Sequence, residues 1–227
     1  MIIITGASRG IGKFLLKKFI EQGENVIGTY LNTQPESEYK SNYYKLDITN
    51  VLSVKDFFNS IKNNLSDICL INCAGTNYNS FAHKSNLELW KNVIDVNLTG
   101  TFNIINNVLP FMREQNYGRI INFSSIVAQT GIPGTSAYAA SKAGLWGLTK
   151  SIAVENANRG ITINNLNLGY FNIGMITEVP KNFQEITKQK IPTKEFGNPK
   201  NIFESVKFII ENDYLNGASI DVNGAII

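Results

Sequence analysis

The chain has 227 residues, 43% of them hydrophobic and 17% charged, with a formal net charge of +3. This composition is typical of a globular protein, and scattered basic residues with a small net charge argue against a surface for nucleic acid or membrane. Two cysteines and one histidine are too few for a disulfide framework, a zinc centre or a Ser-His-Asp triad, and we expect no metal site.

The predicted elements alternate between strand and helix along the chain. Apolar runs predict strands at residues 2–5, 26–30, 43–46, 68–72, 119–123, 161–166 and 220–222. The stretches between them carry the amphipathic spacing of helices, as in residues 12–20. Such alternation favours right-handed crossovers and a parallel sheet covered by helices on both faces. The sequence therefore predicts a single doubly wound α/β domain of about seven strands over residues 1–227.

Two stretches bear on location and on ligand binding. The chain reaches its first glycine turn at Gly6 without a leader, and no apolar run approaches the roughly 20 residues that a membrane crossing needs. We therefore expect a cytoplasmic protein. Residues 173–199 carry Pro180, Pro192 and Pro199 among many charged and amide side chains. A segment of this kind beyond the carboxyl edge of a parallel sheet is a candidate lid over a ligand.

The first predicted strand runs directly into a glycine-rich turn with the sequence TGASRGIG, residues 5–12. Gly6 permits a tight turn, Gly10 lets the backbone approach a pyrophosphate, and Gly12 lets helix and strand pack closely. The helix that follows presents free N–H groups and a partial positive charge. The alternative is a structural turn without a ligand, but the strand–turn–helix context favours a dinucleotide site.

The charges around this turn indicate which dinucleotide binds. An acid at the end of the second strand would bind the ribose hydroxyls of NAD and repel a 2′-phosphate. The residues after this strand include no acid before Glu36, and Arg9 within the turn can donate to a phosphate. We therefore predict that the cofactor is NADP(H).

Four residues further along the chain have the chemistry of a carbonyl-reducing site. Tyr138 and Lys142 lie four residues apart at the start of a long predicted helix and share one face. A nearby ammonium would lower the phenol pKa from about 10 and make Tyr138 a general acid. Ser125 follows the fifth predicted strand, where its hydroxyl can hold a carbonyl oxygen, and Asn97 can accept from a water that connects Lys142 to solvent. Taken singly, each has a structural alternative: an exposed helical pair, a loop serine or helix cap, and a turn asparagine.

In order and spacing, these motifs resemble those of the short-chain dehydrogenase/reductase family over essentially the whole chain. The matching residues are the glycine turn 5–12, Asp47, the run Asn72-Cys73-Ala74-Gly75, Asn97, Ser125, Tyr138 and Lys142. The resemblance implies a Rossmann fold, a catalytic tetrad of Asn97, Ser125, Tyr138 and Lys142, a bond from Lys142 to the nicotinamide ribose, and Asp47 near the adenine. It also implies a set of cofactor-binding residues: Gly6, Ser8, Arg9, Gly10, Ile11, Gly12, Asp47, Ile48, Asn72, Ala74, Gly75, Tyr138, Lys142 and Gly169.

Within that family the chain is most similar to bacterial 3-oxoacyl-(acyl-carrier-protein) reductases, which implies NADPH-dependent reduction of a 3-oxoacyl thioester in fatty acid biosynthesis. Arg119 and Arg159 match positions that can meet an acidic acyl carrier protein, although each can also be a solvated arginine at a strand edge. The alternatives are a reductase or dehydrogenase of a sugar, a polyketide or another secondary alcohol, and a non-catalytic NADP(H)-binding regulatory protein. Relatives assemble by parallel pairing of the helix before Ser125 and the helix around Tyr138, which implies a homodimer or homotetramer.

The chain departs from the family pattern in three places: at residue 73, in the stretch 168–173 after the sixth predicted strand, and at its ending. Cys73 replaces a usual asparagine, Leu168 replaces a proline, and Ile173 replaces a threonine whose hydroxyl would bond the nicotinamide carboxamide. The ending DVNGA, residues 221–225, lacks a second glycine. Loss of the threonine bond should weaken cofactor positioning by about 1 kcal/mol.

Overall fold

Seven strands make one parallel sheet in the computed structural model, which describes residues 1–226. The strands are β1 (Ile2–Thr5), β2 (Val26–Tyr30), β3 (Tyr43–Lys45), β4 (Cys69–Asn72), β5 (Gly118–Ser125), β6 (Ile161–Leu168) and β7 (Ser219–Val222). Their spatial order is β3-β2-β1-β4-β5-β6-β7, and every neighbouring pair is parallel. The predicted doubly wound parallel sheet is therefore confirmed. Residue 227, the last of the predicted domain, lies outside the described residues.

Eight α-helices in the described part of the chain connect or follow these strands. They are α1 (Gly10–Glu21), α2 (Val51–Ile61), α3 (Leu87–Ile94), α4 (Gly100–Gln115), α5 (Val127–Thr130), α6 (Ser136–Asn156), α7 (Lys181–Lys190) and α8 (Pro199–Glu211). Over residues 1–226, none of the helices combines the length and the apolar character that a membrane crossing requires.

The predicted strands are all present, and the differences lie at their ends. β1 and β2 have the predicted bounds, β3 ends at Lys45, and β4 begins at Cys69. β5 extends to Ser125 and β6 to Leu168, because these two residues form the last parallel pair of the ladder between the strands. Ser125 therefore ends a strand rather than following one, and the ladder holds its backbone at the carboxyl edge of the sheet.

Helices cover both faces of the sheet and enclose two apolar cores. On one face, α2 and α4 bury side chains such as Phe58 and Ile104 against the strands. On the other, α1 and α8 bury Leu15, Phe19 and Phe203, and the last two rings meet edge to face with centroids 5.1 Å apart. Full burial of a side chain of this size contributes roughly 1.5–3 kcal/mol. The two cores thus hold the strand ends in a stable frame.

The segment predicted as a lid, residues 173–199, leaves the sheet after β6 and carries short elements of its own. A 3₁₀ turn spans Gly174–Glu178, and α7 follows with no buried residue. A parallel bridge between Phe171 and Gly197 closes the base of the segment. The segment begins after the chain has left the sheet at the end of β6, and its role as a lid stays a prediction.

Candidate active site

The carboxyl ends of the central strands gather most of the predicted site residues at one edge of the sheet. In the parallel register, Thr5 of β1 pairs with Asn72 of β4, and Asn72 pairs with Asn122 of β5. The glycine turn follows β1, residues 73–75 follow β4, Ser125 ends β5 and Gly169 follows β6. A ligand at this edge therefore meets the turn and these strand ends together.

The turn after β1 is held against the end of β4. Oγ1 of Thr5 accepts hydrogen bonds of 3.1 Å each from the backbone N–H groups of Cys73 and Ala74. Gly6 has φ of +64°, and a Cβ there would lie 2.7 Å from Cα of Ala74, so only glycine fits. α1 then begins at Gly10 without a side-chain cap, which leaves the N–H groups of its first turn available to an anion. This cradle fits the pyrophosphate of a dinucleotide.

Ion pairs cover the basic side of α1. Lys13 and Lys17 are spaced four residues apart and therefore lie along one side of the helix, and Arg9 directly precedes it. Glu36, the first acid after β2, pairs with Nζ of Lys13 and lies 2.8 Å from Nζ of Lys17. These lysines lower the pKa of Glu36 to about 2. Nη1 of Arg9 lies 3.3 Å from Oε1 of Glu178, so Glu36 and Glu178 both have cationic partners.

Ser125, Tyr138 and Lys142 come together where α6 packs over the end of β5. Tyr138 and Lys142 lie on consecutive turns at the start of α6, with Nζ of Lys142 5.6 Å from the centroid of the Tyr138 ring. The Ser125 hydroxyl is close enough to Tyr138 to affect the phenol pKa. Lys142 is buried, and its Nζ donates to the carbonyl oxygen of Phe123 at 2.7 Å. The three predicted residues therefore share one place.

The pKa values of this group differ from the expectation. Burial raises the pKa of Tyr138 to about 12, and the nearby Ser125 hydroxyl lowers it by a smaller amount. Burial also lowers the pKa of the Lys142 ammonium to about 8. The expectation that Lys142 lowers the pKa of Tyr138 is therefore wrong for this structure, because burial dominates and the ammonium is engaged by the Phe123 carbonyl. The phenol keeps its proton at neutral pH.

A π-helical turn at Asp95–Thr99 joins α3 to α4 and carries Asn97. Such turns are frequent at functional sites. The buried Asn97 amide donates to the carbonyl oxygen of Thr76 at 2.9 Å and to Oγ of Ser141 at 3.0 Å, and Oδ1 accepts from the N–H of Thr76 at 2.8 Å. A Cβ at Gly75 would lie 3.3 Å from that Oδ1 and 3.9 Å from Nζ of Lys142. Gly75 therefore lets the backbone come close to Asn97 and Lys142, and the water role of Asn97 stays a prediction.

A row of polar side chains crosses the sheet behind this edge. Nδ2 of Asn72 donates to Oδ1 of Asn122 at 2.8 Å, and Nδ2 of Asn122 donates to Oγ1 of Thr149 at 3.1 Å. The Thr149 hydroxyl donates to Oδ1 of Asn165 at 2.8 Å, and Nδ2 of Asn165 donates to Oγ of Ser219 at 3.0 Å. Because Thr149 belongs to α6, the row ties the helix of the tyrosine and lysine to four strands. Sequence reasoning missed this row, although the run NNLN at residues 164–167 of a buried strand was a signal for it.

Trp146 ties α6 to the sheet a second time. Its Nε1 donates to Oγ of Ser124 at 3.0 Å and to Oδ1 of Asn167 at 3.1 Å. Oγ of Ser124 in turn donates to the carbonyl oxygen of Lys142 at 3.0 Å. Ser124 therefore anchors the helix, which leaves the neighbouring Ser125 as the serine beside Tyr138.

The remaining predicted cofactor residues lie after β3, after β6 and in the turn and helix that follow β1. Oδ1 of Asp47 accepts from the N–H and the hydroxyl of Thr49 at 2.9 and 2.7 Å, and Ile48 is buried in the core. A Cβ at Gly169 would lie 2.6 Å from Cα of Asn223, so the close approach of these segments requires a glycine. Ser8 and Ile11 lie in the phosphate-binding turn and at the start of α1. The predicted contacts of these residues with a cofactor stay predictions.

Arg119 lies near the amino end of β5, at the opposite edge of the sheet from Ser125. The residue is only 8% exposed, and its guanidinium donates to the carbonyl oxygens of Ile210, Gly118 and Gly160 at 3.1, 2.9 and 3.0 Å. Arg119 thus holds the chain together internally, and the prediction that it meets an acyl carrier protein is wrong. Arg159 is exposed, and its predicted contact stays a prediction.

The departures from the family pattern lie around the same edge. Leu168 is buried and pairs with Ser125 at the end of β6. Ile173 packs against the core on the α1 and α8 face, where its side chain offers no hydroxyl. Burial raises the pKa of the Cys73 thiol far above its usual range, which disfavours the nucleophilic thiolate at neutral pH.

Comparisons with known proteins agree with this geometry. A family model described as short chain dehydrogenase matches residues 1–184. The 3-oxoacyl-[acyl-carrier-protein] reductase of Staphylococcus epidermidis is 33% identical over 98% of this chain and 96% of its own. The reductase of the same name from Vibrio cholerae is 34% identical over 98% of this chain and 95% of its own. The acetoacetyl-CoA reductase of Rhizobium meliloti is 34% identical over 98% of this chain and 96% of its own.

A solved structure has the same architecture. The crystal structure of a proposed gluconate dehydrogenase from Agrobacterium tumefaciens superposes with a TM-score of 0.90 over 100% of this chain and 96% of that chain. The two sequences are 24% identical, so this likeness concerns the fold alone.

Proposed function

The chain belongs to the short-chain dehydrogenase/reductase family, and on that premise we propose that it is an NADPH-dependent reductase that converts a ketone to a secondary alcohol. The observation that carries the proposal is the convergence of Ser125, Tyr138 and Lys142 at the carboxyl end of β5. Two hydroxyl groups at one point can both donate to a single carbonyl oxygen. A buried lysine with a strongly lowered pKa beside them is typical of a functional site.

The proposed reaction divides the chemistry among these residues. A bound nicotinamide cofactor supplies the hydride that reaches the carbonyl carbon. Ser125 holds the carbonyl oxygen through its hydroxyl. Tyr138, which is protonated at neutral pH, donates its proton to the same oxygen as negative charge develops there. Lys142 would hold the nicotinamide ribose when the cofactor is bound. A water beside Asn97 would return a proton to Tyr138 by way of the Lys142 ammonium.

The preference for NADP(H) rests on the charges at the start of α1. Glu36, the first acid after β2, is engaged by Lys13 and Lys17 and is therefore not free to bind a ribose hydroxyl. Arg9 lies in the phosphate-binding turn with 58% of its side chain exposed, within reach of a phosphate. A guanidinium is well suited to bind a phosphate through two parallel hydrogen bonds.

The substrate we favour is a 3-oxoacyl thioester. Relatives whose printed names give this activity match nearly the whole chain, including the reductases of acyl-carrier-protein and CoA thioesters. One observation favours a second candidate, a sugar, polyketide or other ketone that no carrier delivers. Because Arg119 is buried, only Arg159 of the two predicted arginines offers a charge to an acidic acyl carrier protein.

We propose the same assembly and location as the sequence predicts, a cytoplasmic homodimer or homotetramer in which residues 173–199 act as the lid. Phe102 on α4 and Val154 on α6 are large apolar side chains exposed on the two helices that are expected to pair. Their exposure in one chain is consistent with burial against a second copy. Analytical ultracentrifugation of the purified protein gives the number of subunits.

The proposed activity is tested by following NADPH and NADH oxidation with acetoacetyl-CoA and with a panel of ketones that includes keto-sugars. Turnover of acetoacetyl-CoA with preference for NADPH is the expected result. Turnover of another ketone but not of acetoacetyl-CoA would contradict the 3-oxoacyl thioester as the substrate and would still support a ketone reductase. Tight NADPH binding without turnover of any ketone would contradict the proposed reductase and favour an NADP(H)-binding regulatory protein.

A further inference from the structure

The 3₁₀ turn Gly174–Glu178 lies directly on the phosphate-binding turn. A Cβ at Gly10 would lie 3.3 Å from Cα of Gly174, and a Cβ at Gly174 would lie 4.0 Å from Cγ1 of Ile11. At the other end of the 3₁₀ turn, Oε1 of Glu178 lies 3.3 Å from Nη1 of Arg9, which is 169 residues earlier in the chain. Backbone packing at one end and an ion pair at the other thus join residues 174–178 to the turn.

We infer that Glu178 is a specificity-determining residue that competes with the 2′-phosphate of NADPH for the guanidinium of Arg9. The inference rests on the proposed NADP(H) dependence. Arg9 directly precedes α1, next to the N–H groups that would hold the pyrophosphate. A phosphate and a carboxylate are alternative partners for one guanidinium, since both are recognised through the same planar set of donors.

Arg9 is the cation for which the competition arises. Lys13 and Lys17 on the same side of α1 share the carboxylate of Glu36, which comes from the segment after β2. Arg9 is paired instead with an acid of the segment after β6. A ligand that takes Arg9 therefore also releases the end of the 3₁₀ turn, whereas a ligand that leaves Arg9 alone does not.

The two nicotinamide dinucleotides differ in this respect. NADPH carries the 2′-phosphate and has to displace Glu178, whereas NADH lacks that phosphate and leaves the pair intact. Side chains of Arg9 and Glu178 are 58% and 66% exposed, so the pair is a solvent-screened one. Exposed ion pairs of this kind are weak, and we expect Glu178 to reduce NADPH affinity by about two- to fivefold.

The experiment measures the dissociation constants of NADPH and NADH by nicotinamide fluorescence in the full chain and in three single variants. Glu178→Gln removes the competing charge and keeps the shape. Glu185→Gln is the matched control, because Glu185 is an exposed acid of the same segment that pairs with Lys188 at 2.8 Å. Arg9→Gln removes the contested cation, and the double variant Arg9→Gln with Glu178→Gln completes the cycle.

In Glu178→Gln we expect NADPH to bind about two- to fivefold more tightly and the dissociation constant of NADH to stay unchanged. Glu185→Gln should change neither dissociation constant. Once Arg9 is replaced, Glu178→Gln should have no further effect on NADPH binding. Weaker or unchanged NADPH binding in Glu178→Gln, or a gain that persists without Arg9, would overturn the inference. An unaltered chain that binds NADH as tightly as NADPH, with no effect of Arg9→Gln, would instead show that the proposed cofactor preference fails. Failure of the inference about Glu178 is thus measured in Glu178→Gln, whereas failure of the cofactor preference is measured in the unaltered chain and in Arg9→Gln.

Discussion

Replacement of Lys142 by methionine should remove activity and at the same time stabilise the protein at neutral pH. The pKa of Lys142 falls from its ordinary value of 10.5 to about 8 because the ammonium is buried. That difference corresponds to about 3 kcal/mol of stability lost at pH 7, since the folded chain must keep a charge in an apolar place. Methionine also leaves the Phe123 carbonyl without its partner, at a cost of about 1 kcal/mol. The net expectation is a gain of about 2 kcal/mol, or a Tm higher by about 4–8 °C.

The sign of the pH dependence makes this prediction specific. Below about pH 8 both the folded and the unfolded chain hold the Lys142 proton, and the penalty is present in full. Between about pH 8 and pH 10.5 the unfolded chain binds this proton more strongly than the folded chain does, so the unaltered protein gains stability as pH rises. The advantage of Lys142→Met should therefore shrink to less than about 1 kcal/mol near pH 10.

Urea unfolding at pH 7 and pH 10 measures both quantities, with Lys150→Met as the control on the exposed side of the same helix. The control should change the free energy of unfolding by less than about 0.5 kcal/mol at either pH. A Lys142→Met variant that is less stable than the unaltered chain at pH 7 would refute the reasoning. So would a gain of the same size at both pH values, because burial of a charge could not then be its cause.

Two further substitutions test other parts of the account. Ile173→Thr restores the hydroxyl that relatives carry at this position and should tighten NADPH binding by about fivefold, the equivalent of one hydrogen bond. Unchanged binding in a fluorescence titration would mean that a backbone group or a water already makes the hydrogen bond to the carboxamide. Arg119→Ala should lower the free energy of unfolding by about 3 kcal/mol, because three carbonyl oxygens lose a charged donor, whereas Arg159→Ala should change it by less than about 0.5 kcal/mol. Equal effects of the two arginine variants in urea unfolding would contradict the internal role of Arg119.

Much of the fold and most of the candidate site could be predicted from the sequence, because both depend on local pattern and chain order. Alternating strands and helices leave few topologies, and each carboxyl strand end then lies at the same edge of the sheet. Ser125 could be placed at this edge for this reason, whereas its place beside Tyr138 was implied by the resemblance to the family. The glycines of residues 5–12 predict a tight turn, because glycine permits the backbone conformations that such a turn requires.

The features that escaped prediction depend on contacts between distant parts of the chain. Burial of Arg119 requires carbonyl groups from α8 and from the loop before β6, and no local pattern indicates them. The pKa of Tyr138 depends on where the Lys142 side chain finds its hydrogen bond, which is the carbonyl oxygen of Phe123. The pair of Arg9 and Glu178 joins two segments that are 169 residues apart in the chain. Periodicity gives the faces of helices and strands, but it does not give partners of this kind.

The most direct test of the proposed site is the variant Tyr138→Phe, which removes one hydroxyl and leaves the ring packed in place. The account predicts that NADPH binds as tightly as before, while the rate of ketone reduction falls by about 10²–10⁴-fold because no other group donates the proton. Fluorescence titration and NADPH oxidation with the best ketone of the panel measure the two quantities on the same preparation. A variant that retains more than a few per cent of the rate, with binding unchanged, would contradict the assignment of Tyr138 as the acid.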